Sequence, residues 1–298
     1  MNAAEVNLLS IANAIEFIEA HLQEETSVAA MADAACYSLF HFCRMFNTIA
    51  QHTPYDYLMR RRLSNAAQVL LATDQKIIEI GFDYQFNSPE TFARAFKRMF
   101  GMNPNEWRKR GIIPLRSLMP RLTLAHLRQR THPSFILPEL EEWPTRYFAG
   151  LMTWIDADNR QTAARLRACL QQEFGETARI YDIFLSTLSQ RQKEKITPLP
   201  VGEGTGVGFS GRCHFAGVEI ASIENCPPAF VIKTLPAGAY LRCSNPDGTE
   251  QRDLLRDYLY HTYLPQSRYA LAFPLEIEAA QTLWIPVQAQ RSQQINSA

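Results

Sequence analysis

Displaced by fifty positions, the sequence coincides with itself: Ser38 falls on Ser88, Phe42 on Phe92, Arg44 on Arg94, Phe46 on Phe96, Pro54 on Pro104 and Tyr57 on Trp107. Matches in one frame define a single supersecondary unit built twice, and they confine the first third of the chain to two copies of one helical motif. In the first copy, Ile11, Ile15, Ile18 and Leu22 recur at helical spacing and predict a helix over a small core. SVAAMADAA predicts a short helix, Cys36-Tyr37 a tight turn, and Ser38 the N-cap of a helix over SLFHFCRMFNTIA. Helix, turn, helix at this length is the helix-turn-helix pattern. In the second copy KIIEIGFDY is the support helix, Gln85-Phe86-Asn87 the turn, and Ser88-Pro89 an N-cap followed by proline at the first helical position. Both copies then enter another helix through a cap and a proline, Thr53-Pro54 and Asn103-Pro104, with Glu106 at the capping-box position.

The helical period sorts the side chains of each second helix. Phe42, Phe46 and Ile49 face a core, leaving Phe40, Cys43, Arg44 and Asn47 outward. Phe92, Phe96 and Met99 repeat the inward set, leaving Glu90, Ala93, Arg94 and Lys97 outward. An outward arginine on such a helix suits the major groove of DNA, where it bonds guanine O6 and N7; contact to phosphate alone is the other reading. The formal net charge is zero over 298 residues, but its distribution is uneven. Residues 1–33 carry acids and no Lys or Arg, whereas residues 34–112 hold eleven basic against six acidic side chains, a balance of +5. Within that stretch Arg60, Arg61 and Arg62 lie on the helix joining the copies, as phosphate contacts or as an ion-paired face. Two recognition helices in one chain predict an asymmetric DNA site.

The length predicts two domains: residues 1–112 helical, 113–142 a Pro- and Arg-containing linker leading into a first strand, and 143–298 a second domain. There the pattern alternates. TRYFAGLMTWI, ARIYDIFLS, GVGFSGRCHFAGVEI, AFVIKTLPAGAYLRC, YALAFPLEIE and TLWIPVQ read as strands, QTAARLRACLQQEF and EQRDLLRDYLYHTYL as helices. This is an α+β layout of two successive halves on an antiparallel sheet. Gly206, Gly208 and Gly211 satisfy GxGxxG, but the segment leads into a strand rather than a helix, which excludes the phosphate-binding use. Six scattered cysteines without CxxC and seven histidines without a ligand spacing predict reduced thiols, no metal and no cofactor. No apolar run is long enough to span a bilayer and no signal-peptide pattern opens the chain, so a cytoplasmic location is expected. No nucleophile and base stand at a suggestive spacing, and the chain is not expected to be an enzyme.

The stretches YSLFHFCRMF, TPYDYLMRRRL and FNSPETFARAFKRMFGMNPNEW resemble the DNA-binding domain of the AraC/XylS family of bacterial transcription regulators over residues 6–110. The resemblance implies an all-α domain of seven helices with two helix-turn-helix units. It also implies DNA-reading positions at Phe40, Cys43 and Arg44 in the first recognition helix and at Pro89, Glu90, Ala93 and Arg94 in the second. Phe40 and Cys43 stand where relatives commonly have tryptophan and glutamine, leaving apolar contact to thymine methyls as their chemistry. Cys36 and Gln85 replace glycines common in the two turns, which predicts strain at left-handed positions.

The second domain resembles the GyrI-like ligand-binding domains over about residues 120–290, by its layout and by VIKTLPAGAYLR, PLEIE and TLWIPV. That resemblance implies an α+β fold with an internal pseudo-two-fold repeat. It also implies a cleft for a small amphipathic or cationic effector, with Glu276 buried among Trp154, Phe209, Tyr240 and Trp284. A docking module for another protein and a ligand-hydrolysing enzyme are the rival readings. The partners so expected are double-stranded promoter DNA, a small-molecule effector and RNA polymerase, with no membrane.

Overall fold

A computed structural model of the chain describes residues 3–290 except 112, 115, 133–136, 156–159, 186–211, 245 and 247. It divides into two units, residues 1–135 with Asp253–Tyr263, and residues 136–252 with 264–298. The first unit is helical: α1 (Ala3–Ala20), α2 (Val28–Ala34), α3 (Leu39–Ala50), α4 (Pro54–Ala72), α5 (Ile77–Asp83), α6 (Pro89–Phe100), α7 (Pro104–Arg110) and α8 (Leu124–Thr131). Among the described residues no helix is long and apolar enough to cross a membrane.

The fifty-residue echo becomes two cores of the same design. In one, Ile11, Ile15 and Ile18 of α1 meet Phe42, Phe46 and Tyr57. In the other, Leu70 and Ile80 meet Phe92, Phe96 and Trp107. The ring contacts repeat as well: Phe42 and Phe46 pack edge-on at 5.5 Å, Phe92 and Phe96 at 5.6 Å, and each second ring then meets Tyr57 at 5.9 Å or Trp107 at 5.6 Å. Truncating one such fully buried ring to alanine costs about 3–5 kcal/mol. α4 serves both cores. Its 19 residues make a rod about 28 Å long, with Tyr57 and Leu58 in the first core and Leu63, Ala66 and Leu70 in the second.

The turns repeat atom for atom. Cys36 and Gln85 are left-handed at φ 57° and 63°. In each, the next amide reaches back to the preceding helix, Tyr37 N to Ala32 O and Phe86 N to Gly81 O, both at 3.0 Å. This is the helix ending that glycine normally occupies, so the expected strain is present. Thr53, Ser88 and Asn103 cap their helices through the side chain, Asn103 in a reciprocal box with Glu106. Ser38 occupies the N-cap position of α3 in extended conformation but makes no such bond.

Part of the stretch expected as linker is built into the first unit. Met119, Leu122 and Leu127 are fully covered in the α1–α3 core, and α8 packs beside α1 and α3. Arginines of this stretch find acids on α1: Arg121, ahead of α8, pairs with Glu16, and Arg128 of α8 with Glu5. Two of the six acids of residues 1–33 are thus paired by this stretch, while exposed cations lie on α3, α6 and α7.

The second unit is a curled antiparallel sheet of β1 (Glu139–Trp143), β2 (Arg146–Ile155), β3 (Ile180–Leu185), β4 (Arg212–Ile220), β5 (Val231–Leu235), β6 (Gly238–Ser244), β7 (Tyr269–Leu271), β8 (Leu275–Ala279) and β9 (Thr282–Ala289). The strand order is β1-β6-β9-β8-β3-β4-β2-β5, with β7 on β9. It maps onto itself about the β3/β8 pair, so the halves are related by a pseudo-two-fold. AFVIKTLPAGAYLRC, expected as one strand, is broken at Pro236 into β5 and β6. These do not pair with each other; β5 forms one edge of the sheet and β6 lies in the other half, between β1 and β9. Gly150 and Gly217 face each other across β2 and β4, where a Cβ on Gly150 would stand 2.2 Å from the Ala216 carbonyl oxygen. Helix α9 (Arg160–Phe174) covers one face through Leu170 against Ile180 and Ala216. Helix α10 (Thr249–Tyr258) runs into a π turn at Leu259–Tyr263, followed by a single helical turn at Leu264–Gln266.

Candidate nucleic-acid interface

On α3 the inward period buries Phe42, Phe46 and Ile49, and of the positions expected outward Phe40, Arg44 and Asn47 are exposed, whereas Cys43 packs against the edge of the core. Phe40 is 80% exposed, with its neighbour Leu39 51% exposed, so apolar surface is left in water on this face. Arg44 and Asn47 are exposed beside it and Cys43 is half-buried. On α6, Phe92 and Phe96 are buried while Glu90, Arg94 and Lys97 are exposed and Ala93 is half-buried. Glu90 sits in the first turn of α6, where hydrogen bonds from its own amide and from the Ser88 hydroxyl lower its carboxyl pKa. A residue of each helix is therefore presented in the same frame: Arg44 and Arg94 both point away from paired phenylalanines.

The arginine tract of α4 behaves otherwise. Arg61 donates from Nε and Nη2 to both carboxylate oxygens of Glu19, at 2.7 and 2.8 Å, and from Nη1 to the Met119 carbonyl. Arg62 is buried and donates to the Leu22 and Glu24 carbonyls at 2.8 and 2.6 Å, capping the end of the α1 segment. Arg60 pairs with Asp56. The expectation of phosphate contact for Arg61 and Arg62 is thereby corrected in favour of the ion-paired, inward-held alternative: Arg61 spends three of its N–H donors and Arg62 two on acceptors inside the unit, which turns both head groups away from the outer surface. The exposed cations that sequence reasoning passed over are Arg98 at the end of α6 and Lys109 and Arg110 at the end of α7. Their position in the last turn of a helix was the available signal.

In the second unit, register separates residues expected to share a cleft. Trp284 pairs with Ile277 on β8 and Arg242 on β6, and Tyr240 with Pro286 on β9. Glu276, one residue before Ile277, pairs with Phe184 on β3. Successive residues of a strand point to opposite faces, so Glu276 lies on the sheet face opposite Trp284 and Tyr240. The grouping of Glu276 with those rings is corrected on this ground. Trp154 is in β2 opposite Cys213, and Phe209 and the glycines 206–211 lie outside the described residues.

The ring face is an aromatic stack. Trp143 lies on Tyr240 at 4.4 Å and against Trp284 at 5.5 Å, with Phe148 and Tyr181 completing the row. The chain's own cations sit on it: Arg146 stands 3.9 Å over Trp143, and Arg179 is 5.2 Å from Tyr181 and 5.5 Å from Trp284. Glu141 accepts from Trp284 Nε1 at 2.9 Å. On the opposite face, buried Asp182 accepts from His214 Nε2 at 2.9 Å and pairs with Arg167, while Phe184 stacks on the His214 ring at 4.9 Å.

A helix-turn-helix domain family matches residues 31–110. The chain is 30% identical over 184 residues to the uncharacterized HTH-type transcriptional regulator YbfP of Bacillus subtilis, covering 59% of this chain and 57% of that one. It is 38% identical over 104 residues to the right origin-binding protein of Escherichia coli K12, covering 33% of this chain and 36% of that one. To the regulatory protein SoxS of the same organism it is 34% identical over 100 residues, 34% of this chain and 94% of that one. The chain thus spans little more than half the length of the first of these relatives and about a third of the second.

Proposed function

The chain belongs to the AraC-type family of helix-turn-helix transcription regulators, and we propose that it reads an asymmetric promoter site, with α3 in the major groove of one half-site and α6 in that of the next. The observation that carries this reading is the matched exposure of Arg44 and Arg94 in a scaffold otherwise repeated ring for ring. Each arginine then bonds a guanine edge. Phe40 and Cys43 lie against thymine methyls, Glu90 accepts from a cytosine amine, and Asn47, Ala93 and Lys97 complete the two contact faces. Arg98, Lys109 and Arg110 take the phosphate role. Binding of the full chain to a randomised duplex library tests this. Arg44→Ala and Arg94→Ala should each relax preference at a different half-site by about 1–3 kcal/mol; unchanged affinity and preference in both would refute the assignment.

The second unit we assign to regulation, either by a small amphipathic effector received on the ring face of the sheet or by docking of a protein such as RNA polymerase. The second reading is favoured by how well the rings are filled: Trp143 is 3% exposed, Tyr240 1% and Trp284 5%, beneath the chain's own arginines. Thermal unfolding of the full chain with a tetraarylphosphonium cation separates the two. A saturable rise in midpoint supports the effector site, and none at millimolar concentration supports docking.

A further inference from the structure

By chain order Asp253–Tyr263 connects β6 to β7, strands of the second unit, yet it is part of the first. Its side chains are bonded to the far end of α3. Thr262 Oγ1 meets His52 Nε2 at 3.2 Å, and His52, in the turn that follows α3, meets Asp56 through Nδ1 at 3.1 Å. The Tyr258 ring lies 5.9 Å from the Arg130 guanidinium, which donates to the carbonyl of Ala50, the last residue of α3. Arg130 is 7% exposed, and among the described residues its Nε and Nη2 find no acceptor. A buried cation so placed depends on the ring and the Ala50 carbonyl for its stabilisation.

The segment is also anchored along its length. Asp253 pairs with Arg116 at 2.9 Å, and Asp257 meets Arg116 at 3.6 Å and His126 at 3.2 Å. The π turn, a form that persists mostly at functional positions, lies where His261 and Thr262 are turned inward and buried. α6 has no counterpart. It ends on Gly101, whose amide bonds Lys97 O, and among the described residues no hydrogen bond or ion pair joins α6 to any residue beyond Asn103. The echo is broken here, at the C-terminal end of the two helices.

We propose that Asp253–Tyr263 is a strut for the first DNA-reading helix alone: α3 holds its place while the segment is seated, and because both ends of the segment continue into the sheet, the second unit addresses one half-site and not the other. This rests on α3 and α6 being the reading helices. The polar contacts to Ala50 and His52 tie down the helix end and its left-handed cap, Gln51, so release frees the last turn of α3 first.

Hydrogen exchange of the full chain tests the strut without reference to DNA. Tyr258→Leu with Asp257→Asn should speed exchange of the α3 amides roughly tenfold, the size of a partly desolvated cation–ring contact, and leave the α6 amides unchanged. If that pair unfolds the unit, Thr262→Val decides, with about fivefold faster exchange in the last turn of α3, the equivalent of one buried hydrogen bond. Equal acceleration in α3 and α6, or none in either, overturns the proposal. On DNA, Arg44→Ala should lose its penalty in the strut variant while Arg94→Ala keeps it. If Arg44→Ala costs nothing even in the unaltered chain, the reading of α3 fails, and the exchange result still judges the strut.

Discussion

Replacing Cys36 by glycine should stabilise the helical unit, because the backbone there is already in the conformation that only glycine adopts freely. Cys36 has φ 57°, and a side chain in the left-handed region costs about 1–2 kcal/mol. Glycine removes that cost but loses about 0.5–1 kcal/mol through the greater freedom of the unfolded chain, so the net gain is about 0.5–1 kcal/mol. Cys36 is exposed, and no packing is lost. Gln85, at φ 63°, is the control: its Nε2 donates to the Gln23 carbonyl at 2.7 Å, a bond whose loss costs about 0.5–1.5 kcal/mol. Gln85→Gly should therefore be close to neutral, whereas Gln85→Ala, which keeps the strain and loses the bond, should destabilise. The assay is denaturant-dependent hydrogen exchange of α2, α3, α5 and α6 in the full chain, which reads each motif separately. The argument fails if Cys36→Gly and Cys36→Ala are equally stable, or if both glycine variants gain alike.

Arg61→Ala should cost about 3 kcal/mol of stability, the lower end for breaking a covered pair, because Tyr57 still bonds Glu19 at 2.8 Å. Its salt dependence of DNA binding should stay the same; a slope smaller by about 0.9 would restore the phosphate role. Stability should also fall below pH 6.5. Burial lowers the pKa of His261 from 6.5 to about 3, and burial lowers that of His52 in the same direction. Above 6.5 the ring is neutral folded or unfolded; below it only the unfolded chain takes the proton, so stability drops by up to about 1.4 kcal/mol per pH unit until the folded ring also titrates. Chemical denaturation between pH 7.5 and 5 measures this, and His261→Gln should flatten the profile.

Much of the helical unit was legible because its signals are local. Caps, prolines and the 3.6-residue recurrence of Phe42 and Phe46, or of Phe92 and Phe96, lie within one turn or two of the groups they organise, whereas the left-handed positions at Cys36 and Gln85 were implied by the family resemblance. The strands of the second unit were legible as elements for the same reason of alternation, apart from two breaks: AFVIKTLPAGAYLRC divides at Pro236, and YALAFPLEIE, expected as one strand, divides into β7 and β8 across residues 272–274. Residues with distant partners were not legible. Arg44, Arg61 and Arg94 are the same residue type on similar helices, and only Glu19, 42 positions from Arg61, makes one of them internal. α8 was hidden among prolines because its helix is short and owes its place to Leu127 in a core built by other segments.

The repeat in the amino-acid order therefore settled the pair of helical motifs, their cores and the arginine that each presents, since these depend on neighbours a few residues apart. Folding in three dimensions decided the rest. Register between β8, β3 and β9 put Glu276 and Trp284 on opposite faces, a parity that neither strand carries alone. Packing, not chain order, made Asp253–Tyr263 part of the helical unit, because Arg116 and Arg130 supply cations, and His126 a hydrogen bond, to its acids and ring.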